Sequence, residues 1–101
     1  MKLVVITAIA AFENDIKQLL KKAAVSNFSH QEVSGYQHVS AEALDANWFA
    51  SEAVETPSVL FYAFVAKGYV ELLFNLVEDF NSSQETASRV HVAILQIEKS
   101  N

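Results

Sequence analysis

Six periodic segments follow one another in the order strand, helix, strand, strand, helix, strand, and this order limits the fold more than any composition does. Leu3 to Ile9 is a continuous β-rich run, as expected of a strand covered on both faces or lying at a subunit contact. The period then changes. Phe12, Ile16, Leu19, Leu20, Ala23 and Ala24 recur at helical spacing, and Glu13, Asp15, Lys17, Gln18, Lys21 and Lys22 take the wet face. Acids open this stretch and lysines close it, matching the helix dipole, so a helix is predicted from Phe12 to Ala24. Phe28 to Tyr36 reads as a second strand with Gly35 near its end, and Val59 to Val65 as a third, with Pro57 marking its start.

Lys67-Gly68 then predicts a turn. Val70, Leu73, Phe74, Val77 and Phe80 form the stripe of a second helix, which Leu72 and Leu76 widen. Asn81 to Ser88 is polar and loop-like. Arg89 to Glu98 closes the chain as a strand, with Val90, Val92 and Ile94 on one side and His91, Ala93, Leu95 and Ile97 on the other.

Two helices can cover only one face of a four-stranded sheet. The predicted fold class is α+β, a ferredoxin-like βαββαβ sandwich: a four-stranded antiparallel sheet, two helices on one face, and a long insert between strands 2 and 3. Residues 1–101 form a single domain, because the chain has no room for a second core. The uncovered face is apolar in strands one, three and four. It is therefore expected to be buried by further copies of the chain arranged as a closed ring.

Charge and composition exclude several function classes. The formal net charge is -5, and no basic cluster exceeds the pair Lys21–Lys22, whereas a nucleic-acid binder concentrates Lys and Arg on one face. The same deficit argues against adhesion to anionic membranes. No apolar stretch approaches the ~20 residues that span a bilayer, so direct membrane insertion is not expected. Absence of cysteine removes disulfides, thiolate metal sites and a Cys nucleophile together, and fits a cytoplasmic location. Ser, His and acidic residues lack any catalytic frame, so no enzyme is expected.

The insert, approximately residues 37–57, is acidic. No Lys or Arg falls between Lys22 and Lys67, while Glu32, Glu42, Asp45, Glu52 and Glu55 all do. A small domain keeps a long irregular connection chiefly where that connection binds something. Trp48 and Phe49 are large apolar groups within it that must pack somewhere, either anchoring the insert or forming a partner-binding hot spot. Three histidines are present. His91 alternates with apolar neighbours and reads as a packed or interface residue. His30 lies on strand two and His38 at the mouth of the insert, where with Glu42 and Asp45 it offers N and O ligands to a divalent cation. A solvated acidic loop accounts for the same residues.

Three stretches carry a family resemblance: Leu20-Lys21-Lys22-Ala23-Ala24-Val25, Glu32-Val33-Ser34-Gly35-Tyr36, and Arg89-Val90-His91-Val92. They resemble the helix end, the following E-V-x-G-[FY] and the start of the last strand of the P-II-like signalling proteins of the nitrogen regulatory superfamily. The resemblance implies a homotrimer with small-molecule sites between subunits. It also implies a loop between strands two and three that reports the bound state to a partner such as a membrane transporter or a metabolic enzyme. Gln37 stands where the family has a second glycine, and Asn81 to Ser88 replaces its glycine-rich phosphate loop without a glycine. Glycine permits the close approach and positive φ that a phosphate cradle needs, so this departure weighs against a nucleotide held in the family's usual way.

The expected function is thus a trimeric regulatory protein that senses a small ligand and signals through the insert. The cofactor is unknown: a divalent cation fits the acidic insert, and the glycine-free loop argues against a nucleotide. The ligand-binding candidates are Gly35, Tyr36 and Gln37, meeting Lys67 and Arg89 of another copy; Lys67 and Arg89 would offset anionic charge. The alternative is a divalent-metal-binding or metal-tolerance protein of CutA-like architecture, with His38, Glu42 and Asp45 as metal candidates. A dimeric α+β-barrel enzyme or heme-handling domain shares the topology, but no catalytic or heme-ligand context accompanies it.

Overall fold

The computed structural model describes residues 1–38 and 53–101. The strands are β1 (Lys2–Ile9), β2 (Ser29–His38), β3 (Ala53–Val65) and β4 (His91–Gln96), and the helices are α1 (Glu13–Lys22) and α2 (Lys67–Ser82). The four strands form one sheet in the order β2-β3-β1-β4, with every neighbouring pair antiparallel. This is the expected split βαβ arrangement.

Alternation along each strand sorts its side chains by face. Val4, Ile6 and Ala8 of β1 and Val59, Phe61, Ala63 and Val65 of β3 are buried with Ile16, Leu19 and Leu20 of α1 and Leu73 and Val77 of α2. Val92 and Ile94 of β4 pack against this core. Phe12 and Phe80 close one end with an edge-to-face contact, ring centroids 5.2 Å apart.

Among the described residues, no helix covers the opposite face. Leu3, Val5, Leu60, Tyr62, Phe64, Ala93 and Leu95 share it by register. Phe64 is 57 % exposed, Tyr62 43 % and Leu95 44 %, so the face is apolar and open in the single chain.

Several predicted boundaries move, each for a physical reason. The chain takes a 3₁₀ turn at Ala10–Phe12 before α1, and α1 ends at Lys22 because Ala24 adopts a left-handed conformation, φ 62°. The amides of Ala24 and Val25 then bond Lys21 and Leu20 carbonyls at 3.1 and 2.9 Å, closing the helix as a Schellman motif. Lys67-Gly68 is the first turn of α2 rather than a turn before it. A cation and a glycine at a helix N-terminus oppose the usual signals, and α2 has neither an acid in its first turn nor a side-chain cap. Arg89 and Val90 precede β4, which begins at His91.

The largest shift is in the β2–β3 hairpin. Its ladder continues through Ser34↔Pro57 to His38↔Ala53, so Gln37, His38 and Ala53–Pro57, read as insert, are paired strand. Beyond Ser58, β3 has only β2 as a neighbour, since β1 pairing stops at Ile9↔Ser58. Pro57 therefore sits where β3 is an edge strand and can lack a donor.

Candidate functional site

On the uncovered face, polar residues gather at the end where β2 leaves the sheet. Thr7 pairs with His91 across β1 and β4, and Val33 pairs with Ser58 across β2 and β3. These registers bring Thr7, Gly35, Ser58, Arg89 and His91 around an open cavity of about 360 Å³.

Gly35 is required here by space. A Cβ at this position would lie 3.2 Å from the Thr56 carbonyl oxygen and would collide with Ser58 Oγ. That hydroxyl instead donates to the Thr56 carbonyl at 3.0 Å. The missing side chain thus lets β2 pass close to Ser58 and keeps the cavity open.

Arg89 enters from the loop before β4. Its Nη1 donates to the Thr86 and Ser88 carbonyls at 2.6 and 3.0 Å, which folds the guanidinium against its own loop. Among the described residues no carboxylate lies within ion-pair distance of it. His91 is exposed beside it, and the Thr7 and Ser58 hydroxyls complete the polar lining. A guanidinium, an imidazole and two hydroxyls around one opening can receive an oxyanion.

The loop itself serves the end of α2. Ser82 and Ser83 hydroxyls donate to the Glu78 and Phe80 carbonyls at 3.0 and 2.8 Å, and Gln84 Nε2 donates to Phe80 at 3.2 Å. The Ser83 and Gln84 amides also turn back onto α2, toward Asp79, Phe80 and Asn81 carbonyls. These donors face inward, at the negative end of a helix dipole that already carries Glu78 and Asp79. Over residues 82–84 the segment caps the helix, and these donors are not turned outward to an anion.

The structure brings some predicted residues together and separates others. Gly35 and Arg89 line the same cavity, and Arg89 reaches it from the same chain. Tyr36 pairs with Glu55 and by alternation lies on the other face of the hairpin. Gln37 pairs with Val54. Lys67 follows the far end of β3, roughly 30 Å along the strand from Thr56, the partner of Gly35, so within one chain it stands apart from the cavity.

Of the metal candidates, His38 is the last residue of β2, and Glu42 and Asp45 lie outside the described residues, as do Trp48 and Phe49. Among the described residues no group of three His, Cys, Asp or Glu is placed to hold a metal ion. His30 instead stacks on Phe61, centroids 5.0 Å apart, with Nδ1 3.9 Å from Glu13 Oε1. Also among the described residues, no helix is long and apolar enough to cross a membrane.

The sequence does not mark Thr7 or Ser58 as lining residues, and it reads His91 as a packed or interface residue. Its placement of His91 on the same side of the last strand as Ala93 and Leu95 was the available signal. What it lacked was the register that sets Thr7 opposite His91.

The sheet order and the two helices packed on one face define a ferredoxin-like βαββαβ fold. No protein-family model and no curated protein matches the sequence. Solved structures do. CPII, a nitrogen regulatory PII-like protein from Thiomonas intermedia K12 bound to ADP, AMP and bicarbonate, superposes with a TM-score of 0.62 and 18% identity, over 99% of this chain and 94% of that one. The B. subtilis GlnK–ATP complex superposes with a TM-score of 0.66 and 17% identity, over 93% of this chain and 80% of that one. At this identity the shared property is the fold.

Proposed function

We propose that this chain is a small-ligand-sensing regulatory protein. It reads an anion at the Gly35–Arg89–His91 cavity and signals to a partner protein through the connection between β2 and β3. The observation that carries this reading is the cavity itself, an opening on the uncovered face lined by Thr7, Gly35, Ser58, His91 and an Arg89 guanidinium that has no carboxylate partner among the described residues. It lies at the base of the β2–β3 hairpin, so an occupant touches the strands that lead into the connection.

CPII, of the same fold, binds ADP, AMP and bicarbonate, which supports both an anionic ligand and a regulatory, non-catalytic role. The self-capped loop before β4 favours a small oxyanion, or the acidic end of a larger ligand, over a triphosphate held by that loop alone. The working assembly is a homotrimer in which the apolar sheet faces pack together. Lys67, remote within one chain, has access to the cavity only from another copy.

Calorimetric titration with bicarbonate, AMP, ADP and ATP tests the reading. At least one of these anions should bind saturably, and Arg89→Ala should weaken it about tenfold or more, as expected when a charge-assisted contact is lost. No binding by any of the four, or unchanged affinity in Arg89→Ala, removes the site. The same titration with copper, zinc, nickel and cobalt addresses the CutA-like alternative: saturable metal binding that is lost in His38→Ala would replace the anion reading.

A further inference from the structure

A second cavity lies at the opposite end of β2, between the C-terminal turn of α1 and the start of the strand, on the helix-bearing side of the sheet. It measures about 560 Å³ and is lined by Lys17, Gln18, Lys21, Val25, Ser26 and Phe28, together with Ala24. That volume lies within the range of small-molecule sites.

Its apolar part is pre-formed. Val25 is buried in the core and supplies the floor. Phe28 supplies a flat wall and is held from behind, its ring centroid 5.6 Å from Phe61 and 6.2 Å from His30. The turn that leads from α1 into Val25 is fixed by the Schellman bonds of Ala24 and Val25, with Ala24 in the left-handed region. A non-glycine residue persists there only when its surroundings over-determine it.

Its polar part is cationic. Lys17 and Lys21 are one helical turn apart and project from the same side of α1. Lys17 Nζ lies 3.3 Å from Glu13 Oε2, whereas Lys21 has no carboxylate within ion-pair distance among the described residues. The helix end does not oppose an anion as strongly as a bare C-terminus would. The Leu19, Leu20 and Lys21 carbonyls already accept from the Ala23, Val25 and Ala24 amides. In a chain of net charge -5, a cavity lined by two lysines, of which Lys21 has no carboxylate partner among the described residues, is a local concentration of positive charge.

We propose that this cavity is a second ligand site, which takes a small molecule joining a flat apolar body to a phosphate or carboxylate. The apolar body lies against Phe28 and Val25, and the anionic group meets Lys21 and Lys17. The site is separate from the Arg89 cavity, roughly 20 Å away along β2, and does not depend on the ligand assigned there.

The test is a titration of the ¹⁵N-labelled protein with phenyl phosphate, inorganic phosphate and benzyl alcohol, read by amide chemical shifts. Phenyl phosphate should move amides between Lys17 and Phe28 saturably. Lys21→Glu, an exposed helix position, should weaken that binding about tenfold or more, and Arg89→Ala should leave it unchanged. Absence of saturable shifts in this segment overturns the proposal, as does wild-type affinity in Lys21→Glu. Equal saturation by inorganic phosphate or by benzyl alcohol also overturns it, because the site requires both halves of the ligand. Shifts centred on Arg89 instead would assign phenyl phosphate to the other cavity and reject this one.

Discussion

Ala24 is the non-glycine residue that carries a positive φ among the described residues. An L-residue with a side chain costs roughly 1–2 kcal/mol in the left-handed region, which is why glycine usually follows a helix. Replacing it by glycine relieves that strain but frees the unfolded chain, at about 0.5–1 kcal/mol. Ala24→Gly should therefore stabilise the protein by about 0.5–1 kcal/mol, visible as a rise of a few degrees in Tm by differential scanning calorimetry. An unchanged or lowered Tm would contradict the left-handed turn. At Gly35 the argument runs the other way: its φ is negative, and what excludes a side chain there is the Ser58 hydroxyl. Gly35 is conspicuous in the sequence although the reason for it is not, and Ala24 reads only as the last residue of a helix. Two alanines in succession look like helix, and nothing local to Gly35 announces Ser58, the partner of Val33, lying diagonally against it.

Between elements, the join of α2 to β4 rests on one side chain. Asn81 Nδ2 donates to the Val90 carbonyl and its Oδ1 accepts from the Val90 amide, each at 2.8 Å, so the amide group reproduces one rung of a sheet ladder. Val90 is only 2 % exposed, so both of its backbone groups would be left without partners if the side chain were cut back. Asn81→Ala is expected to destabilise the fold by about 2–3 kcal/mol in urea unfolding, since each abandoned buried group costs about 1–3 kcal/mol and water relieves part of it. Asn81→Asp keeps the acceptor but loses the donor and should fall between the two. A loss below about 0.5 kcal/mol for Asn81→Ala would show that this rung does not hold the join.

The elements themselves were legible where a covered face imposes a period. The stripes of α1 and α2 and the alternation of β4 are examples. Legibility failed in the outer β2–β3 hairpin, where Glu32, Tyr36, Glu55, Thr56 and Pro57 are exposed. A ribbon bare on both faces has no apolar pattern to read. It failed again at the start of α2, where Lys67 and Gly68 give the opposite of the usual entry signals.

At the scale of the whole molecule, the apolar sheet face is the feature that most needs an occupant. Phe64, Tyr62 and Leu95 project from neighbouring strands with Leu3, Val5, Leu60 and Ala93 between them, and contiguous apolar surface of this kind marks an association site. A closed ring of copies covers it without leaving a free edge to propagate, which is why the homotrimer is the assembly proposed above. The cavity at Arg89 opens on the same face, so in the proposed trimer a neighbouring copy would also wall it. Binding and assembly should then be coupled. Phe64→Glu places a carboxylate on the apolar face at a position already more than half exposed in the single chain, so it should spare the monomer fold while breaking the contact. Light scattering after gel filtration should find the wild type at three times the mass of the chain and Phe64→Glu at the mass of the chain. Circular dichroism should keep its α+β signature in both. The variant should also bind the anion identified by calorimetry at least tenfold more weakly, although Phe64 lies far from Arg89 along the sheet. A wild-type chain that runs as a monomer would remove the trimer, and a monomeric Phe64→Glu with undiminished affinity would show that one chain holds the anion alone.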